Sequence, residues 1–109
     1  MADFKQEKGT FYFKLTNSEV SLINSSEQLI QICIKAFLDS QSIASKEVTF
    51  VVSKIVGLAY KNLKSVNQQN GSQGVVIIVS LPKSLLMTSL LGPLATAVIT
   101  PKVEGIHVW

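Results

Sequence analysis

Two short apolar runs bracket a segment of helical spacing, and the chain's expected architecture follows from that arrangement. Residues 47–52 read Glu-Val-Thr-Phe-Val-Val and residues 75–79 read Val-Val-Ile-Ile-Val. Both are near-continuous and rich in β-branched residues, the composition of strands covered on both faces. Between them, apolar residues fall at Ile55, Val56, Ala59, Tyr60, Leu63 and Val66, the spacing of a helix with one core-facing stripe. Asn70-Gly71 then supplies residues that tolerate positive φ at a helix exit. Strand, helix and strand in this order predict a central right-handed βαβ unit over a parallel pair.

Upstream, Phe11, Phe13 and Leu15 alternate with Tyr12, Lys14 and Thr16, the period of a strand with one wet face. Asn17-Ser18 reads as a tight turn and residues 19–23 alternate again, so 10–23 is expected to be a β-hairpin. Ser25 followed by Gln28 fits a capping box. From there to about Gln41 the polar stripe Gln28, Gln31, Lys35 and Asp39 predicts a helix that is mostly covered. Downstream, Pro82 suits the first turn of a helix over 83–91, and Gly92-Pro93 ends it. Residues 94–100 and 102–109 read as extended segments separated by Pro101. Residues 1–9, polar and mixed in charge, read as a flexible tail ahead of a single domain over 10–109. The expected class is α/β, with α+β as the alternative. It has a mixed sheet of about five strands, an N-terminal hairpin and two to three helices.

Composition adds one tension. The chain has 109 residues, 47% hydrophobic and 16% charged, with a mean hydropathy of +0.35. So small a domain has much surface to cover, and the apolar surplus points to an oligomer, a partner interface or a membrane. Residues 75–99 approach the length of a membrane span, but Pro82, Lys83 and Pro93 interrupt them, and a packed core is the better account. Cys33 is the only cysteine, which leaves no intrachain disulfide; it reads as a small buried hydrophobe. The N-terminus does not resemble a signal peptide, so a cytoplasmic protein is expected.

The net charge of +3 comes from ten lysines and no arginine. Arginine supplies the fork that reads guanine edges, so its absence speaks against sequence-specific nucleic-acid recognition. Non-specific attraction to polyanions, nucleic acid or acidic lipid, is still available to Lys54, Lys61 and Lys64, which lie in a row at helical spacing. The same row also reads as a solvated helix face. In open α/β sheets ligands collect outside the carboxyl ends of parallel strands. The expected βαβ unit places Ser53 and Lys54 at one such corner and Ser80, Lys83 and Ser84 at the other. Each corner joins a helix start, a hydroxyl and a lysine, a combination attractive to an anion, although serine at a helix start also serves simply as a cap. No glycine-rich loop accompanies either corner. His107 is the single histidine and the seven acids are scattered, so no catalytic constellation, metal site or cofactor is expected.

The expected order of elements, two strands and then helix, strand, helix, strand, helix, strand, resembles that of STAS domains, small regulatory modules among the anti-sigma-factor antagonists. The resemblance implies a regulator in which Ser53 stands nearest the family's phosphorylatable serine. The family's Asp-Ser-Ser-Gly-type loop is missing, since Val52 passes straight into Ser53-Lys54. The expected function is that of a non-enzymatic regulatory or structural module acting through a protein partner or self-association. A lysine-dependent polyanion binder is the alternative.

Overall fold

The alternation at Phe11, Phe13 and Leu15 is realised as one of the two central strands of a four-stranded antiparallel sheet. The computed structural model describes residues 2–7, 9–40, 46–80 and 101–109. In chain order these form β1 (Asp3–Glu7), β2 (Thr10–Leu15), α1 (Asn17–Leu22), α2 (Ser26–Ser40), α3 (Lys46–Leu58), α4 (Tyr60–Gln69), β3 (Val75–Ser80) and β4 (Lys102–Gly105), followed by a 3-10 turn at Ile106–Val108. The sheet order is β1-β2-β3-β4, and every neighbouring pair is antiparallel. Helices segregated onto one face of an antiparallel sheet make this the α+β form of a mixed fold.

The expected parallel pair is therefore corrected: residues 47–52 are not a strand. They are the first half of α3, and the sheet has four strands among the described residues, all antiparallel, not five in a mixed sheet. The period explains the outcome. Val51, Val52, Ile55, Val56 and Ala59 are all buried and continue a single stripe at helical spacing, so the apolar run is the start of the helix and not a partner to it. The expected strand and the first part of the expected helix are one helix, and the helix expected over 53–70 is divided at Ala59 into α3 and α4. With the crossover unit gone, the STAS-like layout does not stand either.

The N-terminal hairpin is also displaced. Residues 3–7, expected to be part of a tail, form β1 and pair with β2 from Asp3↔Lys14 to Glu7↔Thr10. Residues 17–22, expected to return as a strand, are helical because Thr16 caps them. Its Oγ1 accepts from the Glu19 N–H at 3.2 Å, while the Glu19 carboxylate accepts from the Thr16 N–H at 2.9 Å. That is the reciprocal capping box. At α2 the Ser25 Oγ accepts from the Gln28 N–H at 3.2 Å, and the Gln28 side chain reaches back to the Asn24 N–H. The expected helix over 83–91 and the extended segment 94–100 lie outside the described residues. Lys102–Gly105 is a strand, but residues 106–108 curl into the 3-10 turn.

The register sorts the strands into two faces. Phe4, Phe11, Phe13, Leu15, Val75, Ile77, Val79 and Val103 share the face that meets the helices. Phe13, Leu15, Leu29, Ile55, Leu63 and Ile77 are fully buried there. Over β1 the packing is aromatic: Phe4 lies 5.1 Å from Phe37, edge-on, and 5.1 Å from Phe13. Such pairs add roughly 0.5–1.5 kcal/mol beyond the area they bury.

The entry into β3 is fixed by a polar hub. Asn67 on α4 is the one polar side chain among the buried described residues. Its Nδ2 donates to Asn17 Oδ1 at 2.8 Å, and its Oδ1 accepts from the Gly74 N–H at 2.8 Å. Asn70 Nδ2 donates to the Gly74 carbonyl at 2.6 Å. Upstream, the Ser72 N–H bonds the Asn67 carbonyl and the Gly71 N–H that of Gln68, which is a Schellman exit with Gly71 at φ +80°. Gly74 has φ +109°, and a Cβ there would lie 2.6 Å from the Leu15 carbonyl oxygen. Asn67→Leu leaves the Gly74 N–H buried without its acceptor and is expected to lower stability by about 2–3 kcal/mol. Urea denaturation would show this as a lower midpoint at unchanged slope. An unshifted midpoint would mean that the hub is not structural.

Candidate functional site

The residues singled out from the sequence are dispersed by the fold. Ser53 sits in the interior of α3, half-buried, with its hydroxyl donating to the Thr49 carbonyl at 2.7 Å. It stands at neither a helix start nor a strand end, so the free N–H groups that would have drawn an anion to it are consumed in the helix. Lys54 is exposed on α3 with its Nζ 5.3 Å from the centre of the Phe50 ring. Lys61 and Lys64 are exposed on α4, beyond the break at Ala59, so the lysine row is divided between two helices. Ser80 ends β3, exposed, with its Oγ 3.5 Å from that of Thr10. Lys83 and Ser84 lie outside the described residues.

What the fold does assemble is the second face of the sheet. Asp3, Lys5 and Glu7 of β1, Thr10, Tyr12 and Lys14 of β2, Val76, Ile78 and Ser80 of β3, and Lys102 and Glu104 of β4 share it. Trp109 lies against this face. Its carbonyl accepts from Lys5 Nζ at 2.8 Å, and its ring lies 4.7 Å from Lys5 Nζ and 4.9 Å from Lys14 Nζ. Lys14 also pairs with Asp3 at 3.2 Å. Each cation–π contact at such a site is worth roughly 0.5–1 kcal/mol, and the partly exposed ion pair no more. Val76, which lies between Lys14 and Glu104 in the register, is fully buried although it points away from the core.

Beside the 3-10 turn a groove of about 440 Å³ remains open, lined by Thr10, Tyr12, Ile78, Ser80, Lys102, Glu104 and Val108. Its floor is an aromatic ring and an isoleucine, and its rim carries one cation and one anion. The sequence places Tyr12 and Lys14 on a wet face and the final Trp109 in a packed position, but does not single out Ile78, Lys102 or Glu104. The alternation of Lys102-Val103-Glu104 was the available signal.

A second exposed feature lies on the helical layer. Phe50 and Leu58 of α3 are 54% and 51% exposed, and Leu38 of α2 is 47% exposed. Phe50, Lys54 and Leu58 follow one another at intervals of four, so they share a side of α3.

His107 is exposed on the 3-10 turn, and among the described residues no group of three metal-ligating side chains is formed. Also among the described residues, no helix is long and apolar enough to cross a membrane. Cys33 is fully buried, and burial first, then the nearby Glu19 carboxylate, push its thiol far above the ordinary value. Comparison with protein-family models, with curated proteins and with solved structures gives no match.

Because the folded thiol holds its proton to a higher pH than the unfolded one, its contribution is complete below the ordinary value of 9.0 and is lost as pH rises above it. Stability is expected to fall by about 1.4 kcal/mol per pH unit above that point from this group alone. The difference between the wild type and Cys33→Ala isolates the slope. In the native state the thiol should resist a disulfide reagent that labels it fully in urea; rapid native labelling would contradict its burial.

Proposed function

We propose that this chain is a non-enzymatic module that works by protein–protein contact, within an oligomer or as the small member of a complex. The observation that supports this best is the apolar side of α3, where Phe50 and Leu58 flank Lys54 with about half of each apolar side chain in water. Aromatic side chains are enriched at interfaces, and a neighbouring exposed leucine enlarges the apolar patch that such a ring presents. The apolar surplus in the composition points the same way. The scattered acids and the exposed, isolated His107 give a catalytic reading nothing to build on.

Light scattering on the purified protein, together with affinity capture and mass spectrometry, tests the reading. The expected result is a mass above that of the monomer or one stoichiometric partner, with Phe50→Ser/Leu58→Ser weakening the contact at least about tenfold, as anchor residues do. A monomer that captures nothing would remove the basis for it.

The exposure of Lys54, Lys61 and Lys64 favours a second reading, non-specific attachment to polyanions. Three phosphate contacts give a log–log salt slope of about −2.7 on duplex DNA. Binding that ignores salt, or survives conversion of all three to Glu, would exclude it.

A further inference from the structure

We propose that a second copy of this chain pairs with the outer edge of β1, antiparallel and about a two-fold axis, with Phe4 opposite Phe4 and Asp3 opposite Lys5 of the second copy. This deepens the contact reading and rests on it.

The main-chain groups of β1 alternate between the side facing β2 and the outer side. Glu7 and Thr10 are partners across a two-residue connection, and the closing pair of such a hairpin exchanges both of its hydrogen bonds. The alternation then directs the main-chain groups of Asp3, Lys5 and Glu7 toward β2. Those of Ala2, Phe4 and Gln6 point outward. Among the described residues no strand lies on that side, and no turn, loop or cap hydrogen bond engages the three. A two-fold pairing with Phe4 against Phe4 and Ala2 against Gln6 uses every one of these outward groups in both copies.

Charge then selects the register. With Phe4 on the axis, Asp3 faces Lys5 twice, a favourable cross-strand pair. Sliding the copies until Phe4 meets Gln6 puts Lys5 against Lys5 once and Asp3 against Glu7 twice, six charges opposed by like charges. The next register, Gln6 against Gln6, restores an opposite pair at Lys5 and Glu7 but leaves Ala2 without a strand partner.

The helical layer repeats the same complementarity. α2 packs on β1, and the Phe37 ring lies 5.1 Å from that of Phe4, so the axis passes level with Phe37. On the side toward Ala2, α2 contributes Ile32, Lys35, Ala36 and Asp39 to a hollow of about 200 Å³. A two-fold axis perpendicular to the sheet sets the two α2 helices antiparallel. Because Lys35 and Asp39 are equally spaced about Phe37, each lysine then faces the aspartate of the other copy. The strand and the helix are independent stretches of sequence, and both are self-complementary about the same axis.

Sedimentation equilibrium of the full chain tests this with exposed residues that are not part of the core. Lys35→Asp and Asp39→Lys each oppose like charges and are expected to raise the dimer dissociation constant about tenfold. The swap Lys35→Asp/Asp39→Lys restores it. Gln6→Pro removes an outward N–H and is expected to abolish dimerisation, with far-ultraviolet circular dichroism confirming the fold. A dimer indifferent to Gln6→Pro and to both single charge variants would overturn the edge pairing while leaving the contact reading in place. A wild type that is monomeric yet captures a stoichiometric partner would do the same. If instead the charge variants weaken the dimer and the swap restores it, the axis is established.

Discussion

The hydrogen bonds that converge on Gly74 fix more of this molecule than any other polar contact. β3 is a central strand, and its register against β2 and β4 is set where it begins. Asn67, Asn70 and the Ile106 N–H all bind the two main-chain groups of Gly74. The same Asn67 amide reaches Asn17 at the start of α1. One buried side chain thus ties α4, α1 and the start of β3 together with both ends of its amide satisfied, and the Gly74 carbonyl carries the link on to the 3-10 turn. A buried amide left half-paired would cost more than an apolar side chain in its place, so its full complement of partners matters. The positive φ of Gly74 and its close approach to Leu15 are consequences of threading the strand past that hub.

Among the described residues, the sheet beyond the hub is covered from one side by helices and from the other by the 3-10 turn and Trp109. That asymmetry decides what the second face is made of. It carries Asp3, Lys5, Glu7, Lys14, Lys102 and Glu104 around a short apolar strip at Tyr12, Val76 and Ile78. Trp109 lies against Lys5 and Lys14 on this face, held by two ammonium groups at its ring and a hydrogen bond at its carbonyl. Tyr12 and Ile78 line the groove that stays open beside Val108.

The sequence was legible in some of these elements and not in others. The core stripe at Ile55, Val56, Ala59 and Leu63 is as the spacing implied, and so are the α2 helix, the β3 strand and the Asn70-Gly71 exit. The error at residues 47–52 came from weighing β-branched composition above period. Val51 and Val52 belong to the same 3.6-residue repeat as Ile55 and Val56, and burial of a continuous helical face outweighs the few tenths of a kcal/mol by which valine disfavours a helix. At residues 17–22 the deciding signal is local. Thr16-Asn17-Ser18-Glu19 has the capping-box spacing, and its reciprocal hydrogen bonds start a helix where the alternation of Val20, Leu22 and Ile23 was ambiguous. β1 was hidden because its alternation is one of charge against phenylalanine and glutamine, a weak signal until Phe4 is seen among Phe11, Phe13 and Phe37. The groove and the Trp109 contacts depend on residues brought together from β2, β3 and β4, a juxtaposition that no local pattern encodes.

The two edges of the sheet are treated differently, and the difference bears on how the chain meets others. β4 is only four residues long, follows Pro101, and at Gly105 turns away into the 3-10 segment, so it offers little to an added strand. β1 has five residues and no proline, and its side chains alternate Asp, Lys and Glu on the outer sheet face. An edge guarded against every strand carries charges of one sign, because any approaching copy is then repelled in all registers. Mixed signs act otherwise. They penalise some registers and reward others, which discriminates among partners instead of excluding them. The Lys35–Asp39 spacing on α2 has the same character one layer above. On the pairing proposed above, such an edge would serve as a recognition surface and not as a strand left unprotected.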